Sequence, residues 1–236
     1  LAKRYSIYGA LLLFVQLVAA CTGANDREET ANASGALGTA TPTPAATPAA
    51  DSKLVVAFGD SLYAGYNLAP DQGFAPVLQR ALLASGVQAS VFNAGVSGDT
   101  SAAGLQRLAF TLDGLPRKPD LLILGLGGND MLRGLSPETT RANLDAILAE
   151  LRKREIPVIL TGMIAAPNMG PDYASAFNPI YADLAKKYGA GLYPFFLDGV
   201  ITDRALLLPD GIHPSDGGVR VIVERITPLI AGRLKP

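Results

Sequence analysis

The sequence predicts one α/β domain, a parallel sheet with helices on both of its faces. Three observations carry that expectation. From Lys53 onward, short apolar runs alternate with segments whose apolar residues recur at helical spacing. Most of the short runs are continuously apolar, as strands covered on both faces are. Finally, 236 residues at 49% hydrophobic composition suffice for one sizeable core and are short for two.

The first residues stand apart from that domain. Lys3 and Arg4 precede an apolar stretch from Ile7 to Ala20, which Gln16 interrupts. It is shorter than the roughly 20 residues of a spanning helix and reads as the core of a signal peptide over residues 1–20. The run Val18-Ala19-Ala20-Cys21 resembles the bacterial lipobox, whose cysteine receives a diacylglycerol. That likeness implies lipidation at Cys21 and a lipoprotein on the periplasmic face of a bacterial membrane. An ordinary cut after Ala20, giving a soluble periplasmic or secreted protein, is the alternative. Residues 21–52 are rich in Ala, Thr, Pro and Gly, and no large apolar group recurs to offset the entropy of ordering them. They read as a disordered tether.

The domain, residues 53–236, should then unfold as five β-α units. Leu54 to Phe58, Val87 to Phe92, Leu121 to Leu126, Pro157 to Thr161 and Gly191 to Pro194 read as strands. Phe74, Val77, Leu78, Ala81 and Leu82 share one helical face, and so do Leu105, Leu108, Ala109 and Leu112. Leu144, Ile147, Leu148 and Leu151 belong to a helix that Ser136-Pro137 opens, a capping serine with proline in the first turn. Ile180, Tyr181, Leu184 and Ala185 mark a fourth helix. The last starts near Ser215, with Pro228 expected to kink or end it.

Composition narrows the chemistry. A net charge of −1 without a basic run argues against nucleic acid as the main partner. One cysteine leaves no disulfide framework. One histidine, His213, excludes any site in this chain that needs two.

In open α/β sheets ligands bind outside the carboxyl ends of the strands. Four polar clusters follow the strand runs and should meet there: Gly59-Asp60-Ser61-Leu62, Asn93 to Thr100, Gly127-Gly128-Asn129-Asp130, and Asp210-Gly211-Ile212-His213-Pro214. Ester cleavage needs a nucleophile, a base, a group to orient the base, and donors for the oxyanion. Ser61, just past a buried strand, is the candidate nucleophile, although a serine there also serves as a common N-cap. His213 is the candidate base because imidazole titrates near neutral pH. Asp210, three residues earlier in a tight turn, can reach the ring nitrogen that faces away from Ser61. The backbone N–H groups of Ser61 and Gly98 and the side-chain amide of Asn129 are the candidate oxyanion donors. Their ordinary readings are a turn glycine and a helix cap. Asp60, Asp99 and Asp130 read as caps and turn-formers rather than reactants.

These blocks, in this order, resemble the four blocks of the SGNH (GDSL) hydrolase superfamily, and the likeness spans Lys53 to the C-terminus. It is closest to the bacterial thioesterase I/lysophospholipase/arylesterase branch, which shares Ser97-Gly98-Asp99-Thr100-Ser101, Leu126 to Asp130, Pro194-Phe195-Phe196 and Asp210 to Pro214. The resemblance implies a flavodoxin-like three-layer α/β/α sandwich with strand order 2-1-3-4-5. It implies a triad of Ser61, Asp210 and His213, with Ser61, Gly98 and Asn129 as oxyanion hole and neither metal nor organic cofactor. It also implies hydrolysis of aryl esters, lysophospholipids or acyl-CoA thioesters; the chain is expected to act as a monomer. Substrate choice is expected on the loops after the third and fourth strands, with Ile164, Pro167 and Met169 as candidate acyl-chain contacts. A carbohydrate O-acetylesterase on the same fold, or a non-catalytic binding lipoprotein, are the rival readings.

Overall fold

A computed structural model describes residues 52–235. The expected leader, Cys21 and all but the last residue of the tether lie outside those residues. Five parallel strands form the sheet: β1 (Lys53–Gly59), β2 (Ala89–Gly95), β3 (Leu121–Gly125), β4 (Val158–Thr161) and β5 (Gly191–Tyr193), in the order β2-β1-β3-β4-β5. Eight α-helices accompany it among the described residues: α1 (Ser61–Ala64), α2 (Phe74–Ala84), α3 (Ser101–Asp113), α4 (Gly128–Leu132), α5 (Pro137–Lys153), α6 (Pro171–Phe177), α7 (Ile180–Tyr188) and α8 (Asp216–Leu234).

Strand side chains alternate between two cores, because successive residues of a strand point to opposite faces. Val55, Ala57, Leu121, Ile123 and Ile159 face α2 and α8, where they meet Leu78, Leu82, Ile222 and Ile226. Val56, Phe58, Leu122, Leu124 and Leu160 face α3, α5 and α7, against Leu108, Leu148 and Leu184. Both faces being covered explains why β1 and β3 read as unbroken apolar runs. The sandwich therefore has three layers, α/β/α, with the expected strand order.

Strand ends shift by one to three residues from the sequence reading, and two boundaries differ for a clear physical reason. The second strand runs over Ala89–Gly95, not from Val87. Val87 instead closes α2: its N–H bonds the Leu82 carbonyl at 2.9 Å while the Gly86 N–H bonds that of Leu83 at 3.0 Å. That is the Schellman pattern, and its hydrophobic residue after the glycine is Val87, only 6% exposed. The last helix does not end at Pro228 but continues to Leu234. A proline inside a helix costs about 3 kcal/mol, whereas burying a Leu or Ile side chain returns about 1.5–3 kcal/mol each. Ile230 and Leu234 are both buried beyond the proline, so continuing the helix is the lower state.

The register levels the strand ends that matter. Gly59 pairs with Gly95 on one side and Gly125 on the other, so the loops after β1, β2 and β3 leave the sheet at one height.

Candidate active site

Ser61 opens α1 directly after β1. Asp60 is the N-cap, accepting the Leu62 N–H at 3.0 Å on Oδ1. As the first residue of the helix, Ser61 has a backbone N–H with no helical partner. The short helix rests on Tyr63, which is 1% exposed. Its ring stacks on Phe196 at 4.9 Å between centroids, meets Phe74 edge-on at 5.0 Å, and its hydroxyl pairs with Thr161 Oγ1 at 2.8 Å. A side chain at Gly59 or Gly125 would overlap that ring, so the absence of a Cβ at both strand ends is what lets the prop sit there.

The loop from β5 to α8 delivers the histidine. A bridge between Leu207 and Pro214, the Leu208 N–H to the His213 carbonyl at 2.7 Å and the Ser215 N–H to the Leu206 carbonyl at 2.8 Å pin its two ends together. Inside it, Asp210 Oδ1 accepts the N–H groups of Ile212 and His213 at 2.9 and 3.0 Å. Asp210 Oδ2 lies 2.7 Å from His213 Nδ1, and His213 Nε2 lies 2.9 Å from Ser61 Oγ. The backbone donors of His213 and Ile212 hold the Asp210 carboxyl down at about 2. Tyr66 lies against the imidazole, ring centroids 4.4 Å apart.

Gly98 sits in a turn closed by the Asp99 N–H to the Val96 carbonyl, at φ +86°, a region glycine enters without cost. Its carbonyl accepts from the Arg133 guanidinium at 2.7 Å, and no described residue takes its N–H. Asn129, in α4, donates its amide to the Asp99 carbonyl at 3.0 Å and to Asp60 Oδ2 at 3.4 Å. The neighbours of Gly98 and Ser61 thus hold the third candidate donor between them. All five expected positions gather in one hydrogen-bonded neighbourhood.

The three neighbouring aspartates divide. Asp60 caps α1 as read from the sequence. It also touches Asn129, and burial pushes its carboxyl up to about 6 against the pull of the Leu62 N–H. Asp99 pairs with Arg107 at 2.6 Å. Asp130 is fully buried and binds the Ser101 N–H at 2.7 Å and the Ser101 hydroxyl, which fastens α4 to the start of α3. Arg107, Tyr66 and Arg133 were not legible as site residues. A positive or aromatic side chain on a helix or loop looks like ordinary surface until its partners are known.

Of the candidate acyl contacts, Ile164 is 47% exposed just past β4, Pro167 is exposed, and Met169 packs partly into the α3–α5–α7 core. Beside Asp60, a small void bounded by Tyr63, Met163 and Phe196 holds about 10 Å³, room for one water at most. Leu132, Val96 and Ile212, all more than 40% exposed, stand within three residues of Asn129, Gly98 or His213.

Residues 57–221 match the profile of the GDSL-like Lipase/Acylhydrolase family. The chain is 39% identical over 182 residues to Esterase TesA of Pseudomonas aeruginosa, covering 77% of this chain and 89% of that one. It is 36% identical over 167 residues to thioesterase 1/protease 1/lysophospholipase L1 of Escherichia coli, covering 71% and 77%. The crystal structure of AlinE4, an SGNH-hydrolase family esterase, superposes with a TM-score of 0.67 at 48% identity over 79% of this chain and 98% of that chain. The chain belongs to the GDSL-like lipase/acylhydrolase family, the SGNH hydrolases, and is a serine ester hydrolase.

Proposed function

We propose that Ser61 cleaves carboxylic esters and thioesters through an acyl-enzyme, with His213 as base and Asp210 as its orienting partner. The observation that carries this is the unbroken chain from Asp210 Oδ2 through both ring nitrogens of His213 to Ser61 Oγ, at 2.7 and 2.9 Å. Ser61 Oγ attacks the carbonyl carbon as its proton passes to Nε2, and the Asp210 carboxylate stabilises the imidazolium that results. The carbonyl oxygen becomes an oxyanion that the N–H groups of Ser61 and Gly98 and the amide of Asn129 receive. Asn129 already spends its amide hydrogens on Asp99 and Asp60. A developing negative charge takes the one held at 3.4 Å, the longer and weaker of the two bonds. Imidazolium then protonates the leaving alcohol or thiol. Water, activated by the same ring, releases the acid.

Aryl esters, lysophospholipids and acyl-CoA thioesters are the substrate classes this site suits, because the exposed Leu132 and Ile164 offer apolar surface to an acyl chain. Ser61→Ala should abolish hydrolysis of para-nitrophenyl butyrate. Normal turnover by the alanine variant would contradict the assignment. Across esters of graded chain length, activity confined to acetyl groups would favour the O-acetylesterase reading.

We infer from the leader and Cys21 that the protein is exported and held on a bacterial membrane by a lipid at that cysteine. Metabolic labelling with a fatty acid should mark the wild-type chain and spare Cys21→Ala. Equal labelling of both would rule the anchor out.

A further inference from the structure

Arg107 belongs to α3, outside the triad and the oxyanion donors, yet it touches two of the loops that carry them. Its Nε donates to Asp99 Oδ2 at 2.6 Å and its Nη2 to the Gly59 carbonyl at 3.0 Å, and its guanidinium lies 4.0 Å over the Phe58 ring. Gly59 is the last residue of β1, two before Ser61. The same Gly59 carbonyl accepts the Val96 N–H at 3.0 Å, where the turn bearing Gly98 begins. Asp99 follows Gly98, and its own carbonyl takes the Asn129 amide at 3.0 Å. One guanidinium thus stands at the junction of the loops after β1 and β2, and reaches the loop after β3 through a single residue.

We propose that Arg107 is a positioning residue for the oxyanion site: it fixes the spacing of the Ser61, Gly98 and Asn129 donors by tying Asp99 to the end of β1. The inference rests on the reading in which those three donors serve ester cleavage. An ion pair whose side chains are only 20% and 11% exposed is weak evidence of a stabilising role, since desolvation offsets much of the attraction. Its specific return is geometry. The planar fork of arginine presents donors in two fixed directions at once, which an ammonium on a flexible stem does not. Oxyanion donors act only when fixed near the place where charge develops, so loosening their mutual spacing lowers transition-state binding more than ground-state binding.

The test is steady-state hydrolysis of para-nitrophenyl butyrate by wild type, Arg107→Lys, Arg107→Gln, Asp99→Asn and the Arg107→Gln/Asp99→Asn double variant, with thermal midpoints measured alongside. Arg107→Gln should lose about 10- to 100-fold in kcat with KM within about threefold, less than the loss of a direct donor. Arg107→Lys, which keeps the charge but not the fork, should recover part of that loss. The double variant should fall no further than the worse single, because both substitutions cut one linkage. A kcat within twofold of wild type in folded Arg107→Gln and Arg107→Lys would overturn the inference alone. So would a loss that appears wholly in KM, or additive losses in the double variant. Wild-type hydrolysis that Ser61→Ala leaves intact would overturn the proposed function and this inference with it.

Discussion

Two aspartates of the same site, Asp60 beside Ser61 in the chain and Asp210 against His213, have opposite surroundings, and the difference is testable. Asp210 takes two backbone N–H bonds, which hold its carboxyl down at about 2, so it stays anionic well into acid. Asp60 is 4% exposed and its carboxyl is pushed up from 3.8 to about 6, chiefly by burial. A folded-state value above the unfolded one means the fold prefers the neutral carboxyl. Below about pH 4 both states are protonated and nothing is lost. Between about pH 4 and 6 the unfolded chain ionises first and stability falls, by an amount on the order of 2–3 kcal/mol that is complete above pH 6. Asparagine removes the charge and retains an oxygen for the Leu62 N–H, so the stability of Asp60→Asn relative to wild type should rise between pH 4 and pH 8. A gap that stays flat across that range, measured by denaturant unfolding, would contradict the burial argument. The same variant should be slower in catalysis, because its amide sets a donor against the Asn129 donor. Ser61 was readable as a candidate because a serine directly follows a buried strand, and Asp210 and His213 because they stand three apart in a turn before the last helix. Asp60 and Arg107 were not, since a cap and a helix arginine are ordinary until burial and distance distinguish them.

The elements show where local patterning decides and where packing does. Ser136-Pro137 was readable as a helix start, and Ser136 Oγ does accept the Thr139 N–H at 3.2 Å. The far end of the same helix, α5, was not readable. Glu155 sits at φ +54° in a Schellman turn, with the Ile156 N–H on the Leu151 carbonyl and the Glu155 N–H on that of Arg152, both at 2.9 Å. Glycine is the usual occupant of that position, and a side chain there costs about 1 kcal/mol. The Glu155 contact with Lys118, between largely exposed groups, contributes little in return. Glu155→Gly should therefore raise stability by about 0.5–1 kcal/mol, seen as an increase in Tm. A drop would mean that the ion pair outweighs the backbone term. Short α6 escaped the sequence reading, and only capping residues hinted at α1 and α4, because four to seven residues carry too little periodicity to stand out. Val87 misled for the complementary reason, and Pro228 did not end its helix: in both, tertiary burial overrode a local signal.

At the scale of the molecule, the order β2-β1-β3-β4-β5 puts β1 and β3 side by side with β2 beyond β1. Three consecutive loops in space therefore carry Ser61, Gly98 and Asn129. The return from β5 across the α2–α8 layer brings Asp210 and His213 over the same rim. Topology, not proximity in sequence, assembles the site: 152 residues separate His213 from Ser61 across a 2.9 Å contact. The single histidine excluded sites in this chain that need two, but nothing in the composition says how an acyl chain is held. That depends on surface shape, which spacing along a strand does not encode. The most direct test of the assembled site is intact-mass and peptide analysis after treatment with a para-nitrophenyl alkylphosphonate. One adduct per chain, mapped to Ser61 and strongly slowed in His213→Ala, is the result expected. Labelling at another residue, or equal labelling with the imidazole removed, would contradict it.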